Sequence, residues 1–274
     1  MKINFRLALG ITILAVFVLG SLILPFFSPV NPSAQGTYMK NMPFSLEHPL
    51  GTNTLGQDIM WFLIFAIRNS LLLGVSVSLL INIIAVLMGL TAGYLGGWWE
   101  RVIMLITDSF ITIPTLPILI ILSSLIKGSA SFVSIGLILV AFGWAWNART
   151  VRSMALSLRE REFINMASFS GMSSLEIILK EIFPYVYTFM IVGFINTILY
   201  VINTEAGLAV IGLSNLSVPT MGSILYWALN YNAMMVGNLA WVVSPVVATV
   251  LLFLGLFLTS TGYNDLFAAR RGRS

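Results

Sequence analysis

Long apolar runs dominate the chain, and short polar segments separate them. Runs of about twenty apolar residues are long enough to cross the roughly 30 Å hydrocarbon core of a bilayer as helices. Six regions follow or approach this pattern, at residues 7–27, 70–95, 102–126, 132–147, 188–211 and 239–260. The pattern therefore predicts an all-α polytopic membrane protein with about six transmembrane helices. A shorter apolar stretch at 59–67 is predicted to form a separate helix at the membrane interface.

The first apolar run follows Lys2 and Arg6, an arrangement that also occurs in secretory signal peptides. The run is long for the apolar part of a signal peptide, and no clean small-residue cleavage site follows it. We therefore expect residues 1–45 to hold a retained transmembrane anchor and the beginning of an extracytoplasmic loop.

The composition agrees with a membrane protein and excludes thiol chemistry. Hydrophobic residues make up 58% of the 274 residues and charged residues only 9%, whereas about a quarter of the residues are charged in a soluble domain. The chain has no cysteine, so neither a disulfide nor a thiolate metal site is available. His48 is the only histidine, and we expect it to be a turn residue before Pro49 and not a metal ligand.

The basic residues are distributed unequally between the predicted loops. If the N-terminus is cytoplasmic, only Lys40, Arg68 and Lys127 lie on the outer side. The cytoplasmic side then holds eleven of the fourteen basic residues: Lys2, Arg6, Arg101, Arg149, Arg152, Arg159, Arg161, Lys180, Arg270, Arg271 and Arg273. The positive-inside rule therefore places both termini in the cytoplasm. This topology accounts for the net charge of +4 without a nucleic-acid partner.

The largest predicted cytoplasmic segment, residues 150–187, has the pattern of a helical hairpin. Gly171 separates two apolar stripes, and Pro184 is expected to close the segment. The stripes consist of Phe163, Met166 and Ala167, and of Leu175, Ile178, Leu179 and Ile182. We expect no part of the chain itself to cover this apolar face, so membrane lipids or a protein partner must do so. Four acidic residues favour a protein, because anionic headgroups would repel them: Glu160, Glu162, Glu176 and Glu181.

This segment resembles a known motif. The stretch 162–171, EFINMASFSG, with Ile182-Phe183-Pro184, is similar to the EAA loop of binding-protein-dependent ABC importer permeases: E-A-A, three residues, Gly, nine residues, I-x-L-P. The spacing from Ala167 to Gly171 to Pro184 is kept. Asn165 and Met166 stand where the family has Glu and Ala, and Phe183 stands where it has Leu.

Other stretches resemble the dipeptide, oligopeptide and nickel importer permeases, in the order in which that group has them. Residues 48–58, HPLGTNTLGQD, are similar to H-P-L-G-T-D-x-x-G-R-D, with Asn53 for Asp and Gln57 for Arg. Residues 93–97 match G-Y-x-G-G, residues 205–213 resemble E-A-S-L-S-F-L-G-L, and residues 219–222 resemble P-S-W-G. The likeness extends from about residue 46 to the C-terminus, which implies that 46–274 form an importer transmembrane domain.

The resemblance implies a C-type permease subunit in a bacterial or archaeal inner membrane. Its expected partners are a homologous second permease subunit that completes the pore, two cytoplasmic ATPase subunits, an extracytoplasmic substrate-binding protein and the membrane lipids. Residues 150–187 would contain the coupling helix, with Glu162, Ala167, Gly171 and Pro184 as the ATPase-coupling positions. Short peptides are the expected substrate, with nickel or its chelates as an alternative.

No catalytic motif accompanies this resemblance. The sequence lacks G-x-x-x-x-G-K-S/T, H-E-x-x-H and G-x-S-x-G. We therefore expect the chain not to be an enzyme, to bind no cofactor, and to leave ATP and Mg to partner subunits. An ion-coupled secondary transporter is a further alternative, but the absence of a visible repeat argues against it.

Four polar residues within the spans are candidates for a translocation path: Asp108, Asn196, Asn203 and Glu205. An ionisable group at the centre of a membrane helix costs on the order of 3 kcal/mol or more. Asp108 could instead be a packed residue satisfied by nearby hydroxyl groups. The polar residues around Glu205 could instead form hydrogen bonds between helices. Outside the spans, Asp58 is expected to cap a helix that begins at Ile59.

Overall fold

A computed structural model describes residues 4–125 and 131–271, with side chains as far as Leu266. Within these ranges the chain is helical, and its single β contact is a bridge between Thr52 and Asp58. The helices are α1 (Phe5–Ile23), α2 (Ile59–Leu95), α3 (Gly97–Thr112), α4 (Thr115–Leu125), α5 (Phe132–Gly143), α6 (Ala145–Arg159), α7 (Glu162–Phe169), α8 (Ser174–Ile177), α9 (Phe183–Val210), α10 (Met221–Asn230) and α11 (Leu239–Arg271). Several sequence-predicted features lie outside the described residues: Lys2, Ile126, Lys127 and Arg273.

The predicted all-α polytopic fold is confirmed. Five helical segments are long and apolar enough to cross a membrane, and a bent pair of helices makes a sixth if it counts as one span. That pair, α3 and α4, corresponds to the third predicted span. Its two halves meet at 82°, because Pro114 has no N–H to continue a helix and holds Ile113 extended, at φ −71° and ψ 123°.

The second span is longer than predicted. Residues 59–67 do not form a separate interfacial helix, since α2 continues without a break for 37 residues. Asp58 begins the helix as predicted, with its carboxylate accepting a hydrogen bond from the backbone N–H of Trp61 at 3.0 Å. The apolar residues of 59–67 therefore belong to the bundle, and Phe62 and Ala66 are buried in it.

Helix α2 is central, and glycines allow its backbone to approach α6 closely. A Cβ on Gly89 would lie 2.6 Å from the Val151 Cβ, and one on Gly93 would lie 2.6 Å from the Ala155 Cβ. Small residues at such crossings are typical of membrane helices, because dispersion contacts between backbones replace the hydrophobic effect. On another face of α2, Gly74 accommodates Ile202 of α9.

The fourth predicted span continues beyond its expected end. Helices α5 and α6 follow each other with a break at Trp144 and together span 28 residues to Arg159. The first part of the predicted loop 150–187 is therefore helical and belongs to α6. We call the end of the bundle where α6 stops the hairpin end, because α7 and α8 form a helical hairpin there.

Candidate translocation and coupling sites

The hairpin has the predicted helix–turn–helix form. Helix α7 ends at Phe169, and Gly171 follows with φ +83°, a left-handed conformation that glycine adopts without strain. Helix α8 then starts with a capping box, in which Ser173 and Glu176 bond to each other's backbone N–H groups. The turn geometry therefore accounts for the glycine at 171.

One face of the hairpin packs on the chain itself, which corrects the expectation that the chain offers nothing to cover it. Four of its residues are buried in a cluster with α2, α6 and the start of α9: Ile164, Ala167, Ile177 and Ile182. Val86 and Leu90 of α2 are part of the same cluster. The hairpin is thereby anchored to the central helix of the bundle.

A second apolar face of the hairpin points outward and is exposed. It consists of Met166, Phe169, Leu175 and Leu179. Beside it lies an open groove of about 930 Å³, lined by Met154, Ser157, Leu158, Glu160, Arg161, Glu162, Phe163, Met166 and Tyr185. Of the predicted coupling positions, Glu162, Gly171 and Pro184 are exposed here, whereas Ala167 faces inward.

Pro184 does not close the hairpin segment as predicted. It lies at the beginning of α9, directly after a π-helical turn, where the regular i→i−4 hydrogen bonding is already interrupted. The preceding residues Ile178–Ile182 form a π-helical turn, so the chain stays helical from Ser174 to Val210. The hairpin is thus joined to α9 without a flexible linker.

A cleft of about 370 Å³, mainly apolar but with several polar side chains in its lining, opens among α4, α5, α6 and α9 at mid-span. Asn147 donates a hydrogen bond from Nδ2 to Thr197 Oγ1 at 3.1 Å, and Thr197 in turn donates to the Gly193 carbonyl at 2.7 Å. Asn196 is exposed in the same cleft beside Tyr200. The remaining lining residues are uncharged: Thr115, Phe142, Gly143, Trp146, Phe189 and Val192.

Helix α6 continues this polarity toward the hairpin end. Four of its exposed positions recur at helical spacing and form one face: Trp146, Thr150, Ser153 and Ser157. Three of the four carry hydroxyl groups, and those of Thr150 and Ser153 donate to the backbone carbonyls four residues earlier. We call this surface the polar face of α6.

Two acid–arginine pairs connect α3 to α6. Glu100 accepts hydrogen bonds from both Nε and Nη2 of Arg152, the former at 2.9 Å. Asp108, a predicted path residue, lies 3.5 Å from Nη1 of Arg149. The sequence interpretation offered hydroxyl groups as partners for Asp108 and missed this arginine, which no local spacing connects to it.

Glu205 lies apart from the cleft. Its side chain is buried, with 1% exposure, and Oε1 accepts hydrogen bonds from Ser214 Oγ at 2.8 Å and from Thr220 Oγ1 at 3.1 Å. Asn203 is exposed on a different face of α9. The structure therefore brings Asn196 to the cleft and places Glu205 where it holds the segment 211–220 against α9.

The segment held by Glu205 is also attached to α2. Asn69 Nδ2 donates to the Pro219 carbonyl at 2.8 Å, and the Met221 N–H donates to Ser70 Oγ at 3.0 Å. Thr220 caps α10 through the Ser223 N–H. Glu205 is thus one member of a buried network that joins three helices.

Replacing Glu205 with alanine is expected to release residues 211–220. The change leaves the hydroxyl groups of Ser214 and Thr220 without their buried acceptor, which costs about 1–3 kcal/mol of stability. The variant Glu205→Gln keeps an acceptor oxygen in place. Hydrogen exchange at the backbone amides of 213–222 measures the effect. Faster exchange in Glu205→Ala than in Glu205→Gln is the expected result, and equal protection in both would contradict the assignment.

At the end opposite the hairpin, residues 38–58 form a compact cap. His48 Nδ1 lies 2.7 Å from Asp58 Oδ2, and both side chains are buried. Asn53 Oδ1 accepts from the N–H groups of Leu55 and Gln57, and Asn238 reaches across from the start of α11 to the Thr52 carbonyl at 2.8 Å. His48 therefore does more than shape a turn, since it fixes the carboxylate that caps α2.

A bundle of helices long and apolar enough to span a membrane, with a cleft at mid-span and a hairpin docked at one end, defines a polytopic membrane protein. The chain belongs to the family described as binding-protein-dependent transport system inner membrane component, whose pattern matches residues 85–273. The predicted family resemblance is thereby confirmed.

Several curated relatives support this membership. The oligopeptide transport system permease protein OppC of Mycobacterium tuberculosis strain H37Rv is 36% identical over 170 residues, which cover 62% of this chain and 58% of that protein. OppC of Lactococcus lactis subsp. cremoris is 27% identical over 217 residues, 79% and 74% of the two chains. A putative peptide transport system permease of Brucella suis is 27% identical over 272 residues, 97% and 88% of the two chains.

Proposed function

We propose that this chain is a permease subunit of an ATP-driven importer of short peptides. The observation that carries the proposal is the cleft at mid-span with the polar face of α6 below it. Arg149 and Asn196 are exposed on this side of the chain, and such groups are costly against lipid, so this surface favours a pore or another protein as its cover. The names of the relatives favour peptides, and none of those given above is a nickel permease.

A homologous second permease subunit would cover the polar face and complete the pore. Two ATPase subunits would bind at the hairpin end, where Met166, Phe169 and Leu175 expose apolar surface beside the charged groove. ATP hydrolysis and its Mg would belong to those subunits. Glu162, Gly171 and Pro184 are accessible for this contact, and Ala167 would support it from behind.

The proposal places both termini and the hairpin in the cytoplasm. Arg6 near the start of α1 pairs with Asp265 near the end of α11 at 3.4 Å, so these two helix ends lie side by side. The basic residues of α6 and the hairpin are on this side too, as the positive-inside rule requires. The cap, on the other side, would receive the substrate-binding protein.

The test is to purify the chain with the ATPase, permease and binding-protein subunits encoded beside it, and to reconstitute them in proteoliposomes. Binding protein loaded with di- to pentapeptides is expected to stimulate ATPase activity and peptide uptake several-fold. Stimulation by nickel-loaded but not by peptide-loaded binding protein would overturn the peptide assignment. Uptake driven by an ion gradient without ATP would overturn the ATP-driven class.

A further inference from the structure

We propose that Asp108 and Arg149 form a binding site for the charged termini of a short peptide in transit. Arg149 would take the carboxylate of the peptide and Asp108 its ammonium group. The inference rests on the proposed function and adds to it the chemical feature of the substrate that the permease recognises. It concerns a pair of side chains that the family motifs quoted above do not include.

The pair is loose and open. The Arg149 Nη1 and Asp108 Oδ1 atoms are 3.5 Å apart, and the two side chains are 54% and 52% exposed. A charge-assisted hydrogen bond of good geometry measures about 2.7–2.9 Å, so this contact is not an optimised one. A guanidinium has five N–H donors and a carboxylate has about four acceptor positions, and a single weak contact leaves most of them available to a ligand.

The neighbouring pair on the same two helices shows what a structural contact looks like here. Arg152 holds Glu100 through two nitrogens, and both side chains are only about a quarter exposed, at 27% and 24%. This pair fixes α3 against α6. The packing of the two helices therefore does not require Asp108 and Arg149 to bind each other.

The position of the pair gives it access to the proposed path. Arg149 follows Trp146 of the cleft by three residues, so the two side chains are neighbours on the surface of α6. The exposed residues Thr150 and Ser153 adjoin it on the polar face. Asp108 reaches the same place from α3. The pair thus lies between the cleft and the Glu100–Arg152 pair, toward the cytoplasmic side of the proposed path.

A short peptide has the complementary chemistry. It is a zwitterion, with one carboxylate and one ammonium group whatever its sequence. An exposed ion pair contributes little to stability, so replacing it by two ion pairs with a ligand costs little. The uncharged cleft beside it, with Asn147 and Asn196, can accommodate varied side chains. Binding at the termini would thus allow one path to accept peptides of varied sequence and similar length, since each added residue moves the termini up to about 3.5 Å further apart.

The experiment compares three forms of one tripeptide: unmodified, C-terminally amidated and N-terminally acetylated. Uptake is measured in proteoliposomes with the full complex. Each peptide is kept in large excess, so that the binding protein is saturated and the maximal rate reports the permease step. The variants are Arg149→Gln and Asp108→Asn, which remove one charge at nearly constant size.

The expected results differ for the two variants. Arg149→Gln should lower the maximal uptake rate of the unmodified and acetylated tripeptides about tenfold and leave that of the amidated form unchanged. Asp108→Asn should lower the maximal uptake rate of the unmodified and amidated tripeptides and leave the rate of the acetylated form unchanged. Asp265→Asn is the control, because it removes a pair of similar length and exposure, with Arg6, at the hairpin end; its selectivity should equal that of the wild type.

If each variant lowers the uptake rate equally for all three tripeptides, the pair is structural. If neither variant lowers the uptake rate of any tripeptide, the pair is not used in transport. Either result overturns the inference. Failure of the wild-type complex to transport any of the tripeptides would instead count against the proposed function. The two failures are therefore distinguishable in one experiment.

Discussion

The variant Gly93→Leu is expected to accumulate poorly and to unfold on the order of 10 °C below the wild type in detergent. Even a single Cβ at this position would lie 2.6 Å from the Ala155 Cβ and 2.7 Å from the Arg152 carbonyl oxygen. The carbonyl belongs to the backbone of α6 and cannot rotate away, so α2 and α6 must separate. Overpacking of this kind costs about 1–3 kcal/mol or more. Thermal unfolding followed by tryptophan fluorescence measures it.

The matched comparison uses alanine at two helical glycines. Gly93→Ala already places a Cβ at the clashing position, whereas a Cβ on Gly207 of α9 meets no atom within 4 Å. Gly207→Ala should be neutral or stabilise by up to about 1 kcal/mol through helix propensity. If Gly93→Ala unfolds at the same temperature as Gly207→Ala, the close crossing of α2 and α6 is not a determinant of stability.

The second large effect is expected at Gly171. Gly171→Val should reduce ATPase-coupled transport by at least about tenfold while the spans remain folded, because a β-branched residue is strongly disfavoured at φ +83°. Within the described chain a Cβ here meets no atom within 4 Å, so the stability of the bundle itself should change little. Transport and basal ATPase activity, measured on the same reconstituted preparation, report the uncoupling.

Two further substitutions at Gly171 separate conformation from contact. Asparagine tolerates a left-handed conformation better than alanine does. If only the turn matters, Gly171→Asn should retain more transport than Gly171→Ala. If a partner backbone approaches Gly171 closely, both side chains obstruct it and both variants should fail. Assembly with full substrate-stimulated ATPase activity in Gly171→Val would contradict the coupling role altogether.

The helical spans were predictable because they depend on hydrophobicity averaged over about twenty residues. Single polar residues change that average little. The same averaging concealed where helices break and join. The run 102–126 is apolar on average, yet the chain bends by 82° within it, at Pro114. Asp58 was a clear start signal for α2, but nothing in the composition of 59–67 showed that the helix would continue into the span.

The candidate sites were predictable only as far as they are local. The turn at Gly171 follows from one residue and its neighbours. The partner of Asp108 is Arg149, 41 positions away, and the partners of Glu205 include Thr220 on another helix. Such pairs depend on how the helices cross. The spacing of residues along a single sequence does not show these crossings. Likewise, the inward face of the hairpin could be recognised only once α2 was in place beside it.

The continuous helix from Ser174 to Val210 makes the hairpin one end of a lever. Its 37 residues measure roughly 55 Å at 1.5 Å per residue, so a tilt of about 10° at one end displaces the other by roughly 10 Å. Glu205 clamps the far end of this arm to residues 214 and 220. A displacement of α8 would therefore also move residues on the opposite side of the bundle.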